Sequence, residues 1–132
     1  MANEAILRDR ISNAIDFTWW DDTVGAEKGT ILKLSGARVV AAATADNDPL
    51  IGVLAREKIA NDGRTQVSVY IDGIFDCLVR GTATAVGSEV GISGANILKI
   101  YSTLDDEKGY VLGRLLEPAA AGDVTVQVLV GK

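Results

Sequence analysis

Ser35-Gly36-Ala37-Arg38-Val39-Val40 returns further along the chain as Ser93-Gly94-Ala95-Asn96-Ile97-Leu98, and this echo decides the fold. Each hexapeptide is a small-residue turn opening into a β-branched run, as where a strand leaves a tight hairpin. The features downstream keep their order. Leu50-Ile51-Gly52-Val53-Leu54 is matched by Val111-Leu112-Gly113-Arg114-Leu115, and Asp62-Gly63 by Gly122-Asp123. The strand-like run Val67-Ser68-Val69-Tyr70-Ile71 is matched by Val124-Thr125-Val126-Gln127-Val128-Leu129-Val130. One plan is thus written twice, in pseudo-repeats of residues 29–73 and 87–132. Two copies are too few for a solenoid, in which stacked repeats build a continuous core. A pseudo-symmetric single domain is expected.

With 132 residues, 48% of them hydrophobic, the chain is sized for one domain with a true core. Fourteen glycines against two prolines, among many Val, Ile, Ala and Thr residues, favour short strands and tight turns over a helical bundle. The fold class expected is mainly β: a compact single β domain over residues 29–132, a small barrel or sandwich built from the two pseudo-repeats. Gly52 interrupts a buried strand and marks a bulge or a close backbone approach.

The chain has no histidine and one cysteine, Cys77. That removes Ser-His-Asp and Cys-His arrangements, the usual zinc sites and any disulfide within the chain. Cys77 alternates with Phe75 and Val79, as a small buried side chain does on a strand. The acidic turn Asp105-Asp106-Glu107-Lys108-Gly109 lacks the alternating oxygen ligands of a calcium loop, and Gly36, Gly91 and Gly94 form no phosphate-binding motif. Paired carboxylates such as Asp72 and Asp76 would suit glycosidase chemistry, but a turn and a strand face account for both. No catalytic, cofactor-binding or metal-binding residue is assigned, and no small-molecule substrate is expected.

A net charge of -5 gives no electrostatic footprint for nucleic acid. No apolar run approaches the length needed to cross a bilayer, and Met1-Ala2-Asn3-Glu4 leads into alternating charge where a secretory signal would be apolar. The expectation is a soluble product of a reducing cytoplasm.

Residues 1–28 stand outside the repeat and read as an N-terminal arm. Ile6 or Leu7, Ile11, Ala14 and Ile15 recur at helical spacing, which is compatible with a short, marginal helix from Asn3 to about Ile15. Phe17-Thr18-Trp19-Trp20 then holds both tryptophans. Tryptophan at such a place either caps an open end of a β core or anchors a partner protein. The residues assigned to partner binding are Ile11, Ile15, Phe17, Trp19 and Trp20.

From about residue 17 onward the chain resembles the small head decoration, or capsid cement, proteins of tailed bacteriophages. The resemblance lies in Ala55-Arg56-Glu57-Lys58-Ile59-Ala60-Asn61-Asp62-Gly63-Arg64-Thr65 leading into Tyr70-Ile71-Asp72-Gly73-Ile74-Phe75. It continues in Val86-Gly87-Ser88-Glu89-Val90 and Gly109-Tyr110-Val111-Leu112-Gly113-Arg114-Leu115-Leu116-Glu117 before the closing Val-rich strand. The resemblance implies a β-rich homotrimer on the outside of an expanded capsid, with the major capsid protein as partner and an N-terminal arm that grips the shell. A head fibre base, a tail accessory protein and a carbohydrate-binding module are the alternatives weighed.

Overall fold

The computed structural model describes residues 3–45, 48–81, 86–100, 111–119 and 122–131. Every regular element among them is a strand: β1 (Ile6–Asp9), β2 (Ile15–Trp19), β3 (Ile31–Gly36), β4 (Val39–Ala42), β5 (Leu50–Leu54), β6 (Gln66–Tyr70), β7 (Gly73–Gly81), β8 (Glu89–Gly94), β9 (Ile97–Ile100), β10 (Gly113–Leu115) and β11 (Gly122–Val130). They close into two five-stranded barrels, β2-β4-β3-β5-β6 and β7-β9-β8-β10-β11. A mainly β fold is therefore present, as barrels and not as a sandwich.

The duplication is kept down to the register. In each barrel one strand pair is parallel, with Thr18 opposite Val39 in the first and Leu78 opposite Ile97 in the second. Leu32 pairs with Ala42 as Val90 pairs with Ile100, and both hairpins slip register just before Gly36 and Gly94. Arg38 and Asn96 hold the same turn position in left-handed backbone, at φ 55° and 59°. Asparagine enters that region readily and arginine at some cost.

Gly52 and Gly113 occupy one equivalent position. A Cβ on Gly52 would overlap the carbonyl oxygen of Tyr70, and one on Gly113 the carbonyl oxygen of Leu129. The close backbone approach expected at Gly52 is thus real, and the register of β3 against β5 shifts beside it.

Alternation along the strands fills each interior. Phe17, Trp19, Leu32, Val40, Leu54, Val67 and Val69 pack the first barrel. Phe75, Cys77, Val79, Ile92, Leu98, Val126 and Val128 pack the second. Ile31, Ala43 and Val53 belong to strands or edges of the first barrel yet pack into the second core, so a shared apolar layer joins the two. The buried Asn96 side chain crosses the same junction, where its Oδ1 accepts the Ile31 backbone N–H at 2.9 Å.

Two expectations change. The stretch from Asn3 to Ile15 holds no helix; it contains β1, which pairs antiparallel with β7. The marginal helical pattern gives way because the edge of β7 offers backbone partners that a lone short helix lacks. The structural repeat also begins earlier than the sequence echo, since each barrel takes its first strand, β2 or β7, from upstream of residues 29 and 87. The acidic turn at residues 105–109 lies outside the described residues.

The two close approaches make a stability test. Gly52→Ala and Gly113→Ala should each cost more than about 2 kcal/mol in denaturant unfolding, because backbone must move. Gly94→Ala, with open space around its Cβ and an ordinary backbone, should stay within about 0.5 kcal/mol.

Candidate interaction surface

The five residues assigned to partner binding separate into two groups. Phe17 and Trp19 are 6% and 4% exposed and belong to the first barrel's core, so neither is presented to a partner. The indole N–H of Trp19 is satisfied internally, donating to the Val24 carbonyl at 2.9 Å. Trp20, one residue on and past the strand end, is 49% exposed, and Ile11 and Ile15 are 59% and 37% exposed. The tryptophan pair thus divides into one core side chain and one exposed one.

Trp20 sits on a loop that is held firmly. Lys58, in the β5–β6 connection, has a fully buried side chain, and its ammonium donates to Asp22 Oδ1, Asp62 Oδ1 and the Ile59 carbonyl, each at 2.8 Å. Three acceptors match the three N–H bonds of an ammonium group, which is what a buried lysine requires. The Ala26 and Lys58 backbones form a bridge beside it, and Asp22 also receives the Gly63 N–H. The loops following β2 and β5 are therefore one stitched unit. It presents Trp20, Val24 and Ile59 to solvent. Sequence reading passed over Lys58, since only its spacing to Asp62 is local.

The electrostatics follow from that geometry. Burial opposes the charged form of Lys58, but hydrogen bonds and charge from Asp22 and Asp62 outweigh it and leave the ammonium above its ordinary value. The hydrogen bond from Lys58, followed by the backbone N–H of Arg64, holds the Asp62 carboxyl down at about 2. Asp21 is lowered too, by the backbone and hydroxyl of Thr23.

The arm lies on the second barrel. Ala5 N–H donates to the Gly29 carbonyl at 2.8 Å, Leu7 packs against the second core, and Arg8 approaches Asp76 at 3.6 Å. Ser12 donates its hydroxyl to Asp72 at 2.7 Å. The two aspartates singled out in the sequence thus each meet an arm residue. An open groove of about 730 Å³ runs beside the arm, with Glu4, Ile6, Lys28, Asp76, Leu78 and Thr125 among its lining. Cys77 lies inside the second barrel, and burial, with a smaller push from the Asp76 charge, raises its thiol to about 12. Among the described residues no group of three or more His, Cys, Asp or Glu side chains could hold a metal ion, and no helix is long and apolar enough to cross a membrane.

Two measurements check this surface. Asp62 has a lower pKa folded than unfolded, so its contribution is complete above the unfolded value of about 4 and is lost as pH falls toward 2. The melting temperature should drop across that window, and Asp62→Asn should be less stable at pH 7 and lose less on acidification. The raised Lys58 works in the other direction, losing its contribution only in strong alkali. Cys77 should be inert to thiol reagents in the native protein at pH 8 and react once the chain is unfolded.

No protein-family model matches the chain, and no curated protein is similar to it in sequence.

Proposed function

We propose that this chain is a decoration, or cement, protein of a tailed-bacteriophage head. On this reading it is made in the host cytoplasm and assembles as a homotrimer on the capsid exterior, where it binds the major capsid protein and stabilises the shell. The resemblance from residue 17 onward motivates the reading, and the observation that carries it is the divided tryptophan pair. Trp19 is fixed inside a barrel, while Trp20 is held outside on loops that Lys58 locks together. A large, preordered aromatic side chain loses little freedom on binding and is a common interface hot spot.

Reinforcement of a shell needs no reaction. It needs a stiff body that bears on neighbouring subunits, and modest contacts repeated over many copies gain strength through avidity. Two barrels fused through an apolar layer supply such a body. The arm enters this reading differently from its sequence expectation, since β1 is already engaged by β7. Deletion of residues 1–22 would also remove β2, and with it a stave of the first barrel.

Point variants are therefore the proper test. Light scattering after size exclusion should give a mass near three times 13.9 kDa, and the protein should sediment with expanded heads of the phage that encodes it. Trp20→Ala should weaken that binding by about tenfold or more with an unchanged melting temperature, whereas Trp19→Ala should cost about 3–5 kcal/mol of stability. A monomer that leaves such heads undecorated would contradict the proposal.

A further inference from the structure

The two barrels share a register but differ in what covers their first strands. In the second barrel β9 borders β7 from Leu78 onward, and β1 takes the same edge below it, with Ile6 opposite Asp76 and Leu7 opposite Phe75. In the first barrel β4 borders β2 from Thr18 onward. No described strand pairs with that edge of β2 at Ala14–Asp16. Backbone groups on a strand alternate in direction. Thr18 N–H donates to Arg38 on the β4 side and Trp19 N–H to Thr65 on the β6 side, so the Asp16 backbone faces the open edge.

The side chains tell the same story. Ile15 lies opposite Val69 as Phe75 lies opposite Val128, which makes the two equivalent, interior-facing positions. Phe75 is 1% exposed, packed in a core that Ala5 joins and Leu7 covers, while Ile15 is 37% exposed. Asp76 and Asp16 are likewise equivalent. Asp76 meets Arg8 from β1, whereas among the described residues the Asp16 carboxylate receives the Ser68 hydroxyl, at 3.3 Å, and no basic side chain. Arg38 sits at this edge as a placeholder, donating from its guanidinium to the Asp16 carbonyl at 2.7 Å with its charge over the Phe17 ring.

We propose that the β2 edge at Ala14–Asp16 is a docking site for an extended segment of another protein. The segment adds as an antiparallel strand, lays an apolar side chain over Ile15 and brings a basic one to Asp16. Main-chain hydrogen bonds supply the grip, and the two side-chain positions supply selectivity. A second copy's arm is not the occupant, because each copy carries one β1 and its own β7 already holds it. This inference deepens the decoration reading and rests on it in one respect, since there the segment belongs to the major capsid protein.

The test uses the full chain and a synthetic peptide of Asn3–Arg10, the stretch that contains the strand filling the equivalent edge. Titration should slow exchange of the Asp16 backbone amide by about tenfold or more. Ile15→Glu and Asp16→Arg should abolish peptide binding in proteins whose melting curves remain cooperative, and Arg38→Asn, which installs the residue of the equivalent turn, should strengthen it. Unchanged exchange at Asp16 in millimolar peptide, or changes confined to Ile74–Asp76 through displacement of β1, would overturn the site. In sedimentation with expanded heads, equal binding by wild type and Ile15→Glu would overturn the assignment of the capsid segment to this edge. A wild type that takes the peptide at β2 but ignores the heads would uphold the site and remove the decoration reading.

Discussion

Closure of each barrel rests on a backbone crossing that tolerates no side chain. β5 passes β6 at Gly52, and β10 passes β11 at Gly113, so closely that a single Cβ would strike a carbonyl oxygen. Without that approach the sheet would stay open along one edge, and its apolar face would stay wet. With it, five short strands enclose a dry interior that needs no helix to cover it. The requirement recurs at one equivalent place in both halves, which is why the halves keep their register although few of their side chains match.

Where the halves differ, they differ at surfaces. The turn residue that is Asn96 in the second barrel points inward and hydrogen-bonds across the junction, while its counterpart Arg38 lies outside over Phe17. The second barrel is covered by the arm and by its contact with the first. The first barrel carries the locked loops with Trp20 and, toward the other end of β2, the uncovered Ile15. Shared closure geometry with divergent exteriors is what the proposed reading requires, with one copy given to internal packing and the other to a partner.

Much of this architecture was legible in the sequence. Alternation and turn residues located most strands, the paired Ser-Gly-Ala turns exposed the duplication, and Gly52 marked a bulge or a close backbone approach, of which the close approach is present. Cys77 was correctly placed in a core from Phe75 and Val79 alone. Residues 74–79 read as a strand, but that this strand and β2 open the two copies was not legible, because Ile15-Asp16-Phe17-Thr18-Trp19 and Phe75-Asp76-Cys77-Leu78-Val79 share little beyond the aspartate and an inward-facing alternation. The arm's marginal helical spacing left helix or strand undecided for a tertiary reason: its conformation is set by the edge it meets, which local spacing does not report. Lys58 escaped for a similar reason, since its partner Asp22 belongs to a distant loop.

Two equivalent edges differ in one respect: β1 fills that of β7, and no described strand fills that of β2. Amide hydrogen exchange on the free protein compares them directly, at Asp76 beside Ile6 and at Asp16, whose edge away from β6 no described strand borders. The account predicts strong protection at Asp76 and exchange at least about a hundredfold faster at Asp16. Equal protection at the two amides would contradict it.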